Sequence, residues 1–164
     1  MDRFIEIALT KRDVSCRVKL LDDLAPKTCE IVWNALPFEG DAFHGKYARN
    51  EVYTFVPAPG ENPGRENSTI TPIPGDVTAF WFDRSIIATK SHGYSADSDP
   101  YAHDEVVDLA VFYERNNLLL NPDYGFVPGN VFGTVVEGLE RFADACQDLW
   151  RAGALGESFA YRRL

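Results

Sequence analysis

The order of elements in this sequence predicts a mainly β fold, an antiparallel barrel, closed or nearly so, with two helices covering its ends. Three observations carry that expectation. Apolar residues alternate with polar ones at period two in the first twenty positions. Helical spacing is found in only two segments. Between them lie several short apolar runs separated by Pro- and Gly-rich turns, without the regular strand–helix alternation of a parallel sheet.

Phe4-Ile5-Glu6-Ile7-Ala8-Leu9 reads as the first strand. In the second, Val14, Cys16, Val18 and Leu20 alternate with Ser15, Arg17 and Lys19, which gives one buried and one wet face. Thr10 to Asp13 forms the turn of this hairpin. The period then changes: Cys29, Val32, Trp33 and Leu36 lie on one helical face. Pro26 fits the first turn and Pro37 the stop, so a helix is expected over Pro26 to Leu36.

Ala42 to Tyr47 and Glu51 to Val56 are read as short strands, and Pro57 to Gly75 as a long aperiodic loop. Pro74-Gly75-Asp76 turns into a strand from Val77 to Phe82, and Ser85 to Thr89 is expected to return as another. After a loop from Ser91 to Asp104, a strand runs from Val106 to about Tyr113. A last loop, Asn121 to Asn130, leads into the strand Val131 to Val136. Leu139, Phe142, Cys146, Leu149 and Trp150 mark the face of the final helix, with Gly153 at its end. Phe159 to Leu164 pairs as an edge strand or frays.

The length of 164 residues suits one domain over 1–164, with no repeat or linker. A net charge of −9 argues against nucleic-acid binding, which relies on Lys and Arg to neutralise phosphates. No apolar run reaches the roughly 20 residues that span a bilayer. Acids at Asp2 and Glu6 spoil a signal peptide, so a cytoplasmic protein without membrane contact is expected. Cys16, Cys29 and Cys146 are widely spaced and read as buried free thiols.

Three segments in order carry a family resemblance. Ala25-Pro26-Lys27-Thr28 is similar to the opening of the first cyclophilin helix. Phe43-His44 falls where cyclophilins carry Phe-His-Arg, and Val131-Phe132-Gly133-Thr134-Val135-Val136-Glu137-Gly138 resembles the strand leading into their second helix. The middle, with Pro74-Gly75-Asp76 opening an aromatic strand, resembles small bacterial cyclophilin-like proteins of unknown function, of the domain of unknown function 3830 type. The resemblance implies a cyclophilin-like closed antiparallel β-barrel of about eight strands capped by two α-helices.

Prolyl isomerisation asks for stabilisation of a twisted amide, which cyclophilins supply with an arginine. Gly45 stands at that position, and the expected Gln-Gly-Gly stretch is absent. Lys46 and Arg49 are the candidate substitutes, although Lys46 faces away from Gly45 on an extended strand. The resemblance therefore points to a module for an unidentified small molecule or peptide, with His44, Tyr53, Arg115 and Asn117 as the expected ligand-binding residues. The alternatives are a divergent prolyl isomerase and a homo-oligomeric assembly component.

Other chemistry is sparsely represented. His44, His92 and His103, with Asp104 and Glu105, are metal-ligand types without converging spacing, so neither a metal nor another cofactor is expected. Arg115 could clamp a carboxylate with Asn116 and Asn117, or simply pair with Glu114 or Asp108 beside a turn. Phe80 and Phe82 share one strand face, and Trp81 takes the other. Asn67-Ser68-Thr69 matches a glycosylation acceptor but is set aside without a secretory signal.

Overall fold

The computed structural model describes residues 2–87 and 103–164. The first hairpin pairs β1 (Phe4–Leu9) with β2 (Val14–Leu20), Ile7 opposite Cys16. Its alternation is the reason for its burial: Ile5, Ile7 and Leu9 are fully enclosed, as are Cys16, Val18 and Leu20 to within 2 %. Asp13 takes the left-handed turn position at φ 51°, a conformation Asp tolerates.

Helix α1 (Pro26–Ala35) buries Thr28, Cys29 and Val32 against the sheet. Its N-cap position is Ala25, which has no side-chain acceptor. The Glu66 carboxylate, from the distant Pro/Gly-rich segment, takes that role: it accepts from the Lys27 and Thr28 amides at 3.2 and 2.8 Å and from the Thr28 hydroxyl at 2.8 Å. Asn130 holds the same segment in place. Its Nδ2 donates to the Gly64 carbonyl, and its Oδ1 accepts from the Glu66 amide and the Ser68 hydroxyl. The long loop is thus tied to the helix it caps.

The remaining elements are β3 (Phe38–Asp41), β4 (Phe43–His44), β5 (Glu51–Pro57), β6 (Ser68–Thr69), β7 (Asp76–Asp83) and β8 (Glu105–Phe112). After them come β9 (Leu120–Asn121), β10 (Gly125–Phe126), β11 (Gly129–Glu137), helix α2 (Leu139–Ala152) and β12 (Ser158–Arg163). Among the described residues, one antiparallel sheet runs β3-β12-β1-β2-β11-β7-β8-β5-β4, with β6 beside β11 and β9-β10 as a separate hairpin.

Several expectations are corrected. The ladder ends at β3 and β4, so no closed barrel is found among the described residues. The segment Phe38–Asp41, outside the expected elements, is a strand against β12, and only Phe43–His44 of the expected Ala42–Tyr47 strand pairs. Ser85 begins no strand: Arg84–Ile86 is a 3-10 turn capped by Asp83, whose carboxylate accepts from the Ser85 amide at 2.7 Å. Residues 88 and 89 of that expected strand lie outside the described residues, as does His92. The C-terminal segment is inside the sheet, between β1 and β3, rather than at its edge.

The sheet has two apolar sides. Its inner face, together with α1 and α2, forms the main core around Val18, Leu109, Phe132, Phe142 and Phe159. Cys16, Cys29 and Cys146 are free and buried there. Enclosing Phe142 and Leu149 stabilises the docking of α2 by about 1.5–3 kcal/mol each. A second cluster covers the opposite face of β5, β7 and β8 and includes Tyr53, Phe55, Phe80, Ala110 and Leu119. Trp81 points to the main core, and its Nε1 donates to the Gly60 carbonyl at 3.3 Å.

Candidate functional site

Strand alternation builds the second face. On β5, Val52 and Val56 go to the main core, while Glu51, Tyr53 and Phe55 go to the other side. On β8, Val107, Leu109 and Val111 face inward, and Asp108, Ala110 and Phe112 outward. Phe55, Asp108 and Phe80 are direct cross-strand neighbours in one row over β5, β8 and β7. Tyr53, Ala110 and Thr78 form the next row. The small Ala110 leaves the aromatic rings around it room above the sheet.

Glu51, Tyr53, Phe55, Phe80 and Asp108 line a cavity of about 120 Å³. Tyr53, Phe55, Phe80 and Phe82 give it aromatic walls, and Gly45, Lys46, Tyr47 and Ala48 lie along one side. Leu119, Leu120, Tyr124 and Val127 reach it from the β9–β10 hairpin. Phe80 and Phe82 stack at 5.8 Å, and Tyr53 meets Phe55 edge-on at 5.4 Å. The hairpin is held over the face by the Leu119 amide donating to the Ile70 carbonyl and the Val127 amide to the Leu119 carbonyl.

Two carboxyls stand within this apolar lining. Glu51 and Asp108 are each only 7 % exposed. Asp108 Oδ1 is enclosed without a hydrogen-bond partner. Burial pushes Glu51 up to about 8 from its ordinary 4.5. Asp108 is pushed well above the usual carboxylate range, first by burial and then by the neighbouring Glu51 charge. Burial thus disfavours the charged form of both carboxyls, and a protonated carboxyl can both donate and accept hydrogen bonds.

Gly45 adjoins the same pair. A β-carbon there would lie 2.7 Å from Glu51 Oε2 and 3.0 Å from Glu51 Cβ, so the side chain that Gly45 lacks leaves the room Glu51 fills. A buried acid thus stands against bare backbone at Gly45.

Of the residues expected from sequence, Tyr53 lines the cavity, as does Lys46. His44 is elsewhere, packed between Tyr113 and Trp150. Its Nε2 is 2.6 Å from the Tyr113 hydroxyl, its Nδ1 3.0 Å from the Gly45 carbonyl, and its ring 4.9 Å from that of Trp150. Burial lowers its pKa, and both ring nitrogens are engaged. Asn117 is a buried clamp, with Nδ2 donating to the Pro72 and Glu114 carbonyls and Oδ1 accepting from the Asn50 amide. Arg115 is exposed, its amide donating to the Glu114 carboxylate at 2.8 Å. Arg49 is exposed in a left-handed turn at φ 72°. None of these four lines the cavity.

Sequence reasoning missed Glu51 as a site residue and treated Asp108 only as a partner for Arg115. The signal was present: Asp108 is the one acid inside Val106-Val107-Asp108-Leu109-Ala110-Val111-Phe112. A charge in a strand buried on both faces is costly and calls for a reason. No group of three or more His, Cys, Asp or Glu side chains among the described residues is arranged to hold a metal ion. No helix among them is long and apolar enough to cross a membrane.

Known proteins place the fold. No curated protein matches the chain. The structure of McbB in complex with tryptophan is similar, with a TM-score of 0.63 at 20% identity over 97% of this chain and 44% of that one. The chain thus spans less than half the length of McbB. The solution structure of the hypothetical protein AF2241 from Archaeoglobus fulgidus has a TM-score of 0.53 at 19% identity, over 99% of this chain and 95% of that one. These likenesses are of fold. The family described as "Protein of unknown function (DUF3830)" matches residues 7–161, nearly the whole sequence, and the chain belongs to that family.

Proposed function

We propose that this chain is a small-molecule-binding module whose site is the aromatic cavity over β5, β7 and β8, and that it lacks conventional prolyl isomerase activity. The observation that carries this reading is Asp108, a buried carboxyl with an unpartnered oxygen among aromatic walls. Such a group costs stability with no structural return, and sites are where proteins keep such costs. The size favours a small molecule over a peptide. A cavity near 120 Å³ is comparable to the ~150 Å³ apolar cavity that accepts benzene, well under the ~300 Å³ of drug-sized pockets.

The electrostatics oppose the isomerase alternative. A twisted amide is stabilised by a fixed positive group, and here Glu51 fills the space beside Gly45. The same reading takes the scaffold as a cyclophilin-like barrel. It is supported by β3 lying against β5 near the far end of the ladder, where a β-carbon on Gly40 would be 2.5 Å from Thr54 Oγ1. The tryptophan bound to McbB is a property of McbB; at 20% identity the likeness transfers the fold and no ligand.

Benzyl alcohol is a suitable neutral probe. In an NMR titration it shifts the amides of Tyr53, Phe55, Phe80 and Asp108, while a Xaa-Pro test peptide isomerises at its uncatalysed rate. Shifts confined to other faces, or isomerisation at a cyclophilin-like rate, would sink the proposal.

A further inference from the structure

The lining of the cavity also bears on the chemistry of its ligand. Its apolar walls select a ring. Its polar content is acidic. Glu51 and Asp108 are both buried, and Asp108 Oδ1, between Phe55 and Phe80 in the central row, has no donor directed at it. An acceptor enclosed in this way calls for a donor, and a charged donor forms the stronger bond.

From this geometry we infer that the cavity takes a small aromatic amine as its ammonium ion, the ring between Phe55 and Phe80 and the nitrogen donating to Asp108. The inference rests on the small-molecule reading of the same cavity. It differs from a neutral-ring site in one respect, which is that the acid pair takes part in binding.

Proton balance gives the distinguishing property. The amine arrives protonated and keeps its proton. Burial raises both carboxyls and so favours their protonated forms, and the pair gives up one proton to solvent when Asp108 meets the ammonium. The other titratable groups at the cavity are Lys46, Tyr47, Tyr53 and Tyr124. Beyond them is Tyr161 of β12, whose hydroxyl is raised first by burial and then by the Asp108 charge. The carboxyl pair is the source of the released proton.

Benzylamine and benzyl alcohol share a ring and differ in the group presented to Asp108. Isothermal titration at pH 7, in two buffers of different ionisation enthalpy, gives affinity and proton count together. The unaltered protein is expected to prefer benzylamine by at least about tenfold, the usual worth of one charge-assisted hydrogen bond. Binding of the amine should release about one proton, and binding of the alcohol none. In Asp108→Asn the preference and the proton release disappear. Glu51→Gln, read in the same way, weakens the proton release and guards against a misfolded Asp108 variant. Equal binding of both probes, or amine binding without proton release, overturns the ammonium inference and leaves the cavity as a neutral-ring site. Failure of both probes to bind overturns the small-molecule reading itself.

Discussion

Replacing Glu51 by glutamine keeps the shape of the side chain and removes its titration, so it isolates what the buried acid costs the fold. In the folded chain Glu51 holds its proton up to about pH 8, whereas its ordinary value is 4.5. A raised acid contributes stability that is fully present below pH 4.5 and is lost as pH climbs towards 8, because the unfolded chain can ionise and the folded one resists. The window is 3.5 units (8 − 4.5) and each unit corresponds to ~1.36 kcal/mol, which gives an upper bound of about 5 kcal/mol. Water entry and relaxation around the carboxyl reduce this to a few kcal/mol, still a large part of the ~5–15 kcal/mol that holds a domain folded. The glutamine amide in the variant itself costs roughly 1–3 kcal/mol if its donors stay unpaired. Glu51→Gln is therefore expected to be neutral or slightly less stable than the parent near pH 5 and clearly more stable at pH 8. Urea unfolding of both proteins at pH 5, 6, 7 and 8 gives the difference directly, since groups far from the site cancel. Part of the parent's pH dependence persists through Asp108, which is raised chiefly by its own burial. Parallel stability curves for the two proteins from pH 5 to 8 would refute the claim that Glu51 is buried as an acid.

Two further substitutions probe how the face is held. Glu66→Ala removes the acceptor for two helix amides and the Thr28 hydroxyl, and should cost about 1–2 kcal/mol in urea unfolding, as other lost N-caps do; a loss under ~0.3 kcal/mol would mean that α1 is capped by solvent instead. Gly129→Ala sets a β-carbon 2.6 Å from the Phe80 ring, which must swing toward the cavity. A destabilisation of ~1–3 kcal/mol with weakened benzyl alcohol binding is expected, and unchanged binding would show that Phe80 is not a wall of the site.

The sequence made some elements plain and concealed others for physical reasons. In the first hairpin, six apolar positions at period two specify both strands and their register, because a one-residue slip would turn every one of them outward. Helix α2 was equally legible from Phe142, Cys146 and Leu149, whereas Trp150, placed on the same face, is 59 % exposed and covers His44. The short strand β3 could not be read, since Phe38-Glu39-Gly40-Asp41 has weak strand propensity and owes its conformation to β12, more than a hundred residues later. Chain-local pattern has no access to such a partner. The site was hidden for a related reason. Glu51 and Asp108 are 57 positions apart (108 − 51), and only the β5–β8 register puts them on one face. Arg115 and Asn117 were close in sequence and polar, which made them conspicuous, yet Asn117 spends its hydrogen bonds holding the loop.

Gly45 gains meaning from that same register. Read alone, it is a position without a side chain. Next to Glu51 it is half of a fit: a side chain at position 45 and the buried acid would occupy one space. An arginine at 45 would begin with a β-carbon 2.7 Å from Glu51 Oε2, so introducing it alone would displace the carboxyl rather than build a cationic site. The buried ionisable groups of this face are two carboxyls, Glu51 and Asp108. A fixed cation suits a carbonyl oxygen, whereas this face is better matched to a donor, and Asp108 Oδ1, still without one, is where that donor belongs.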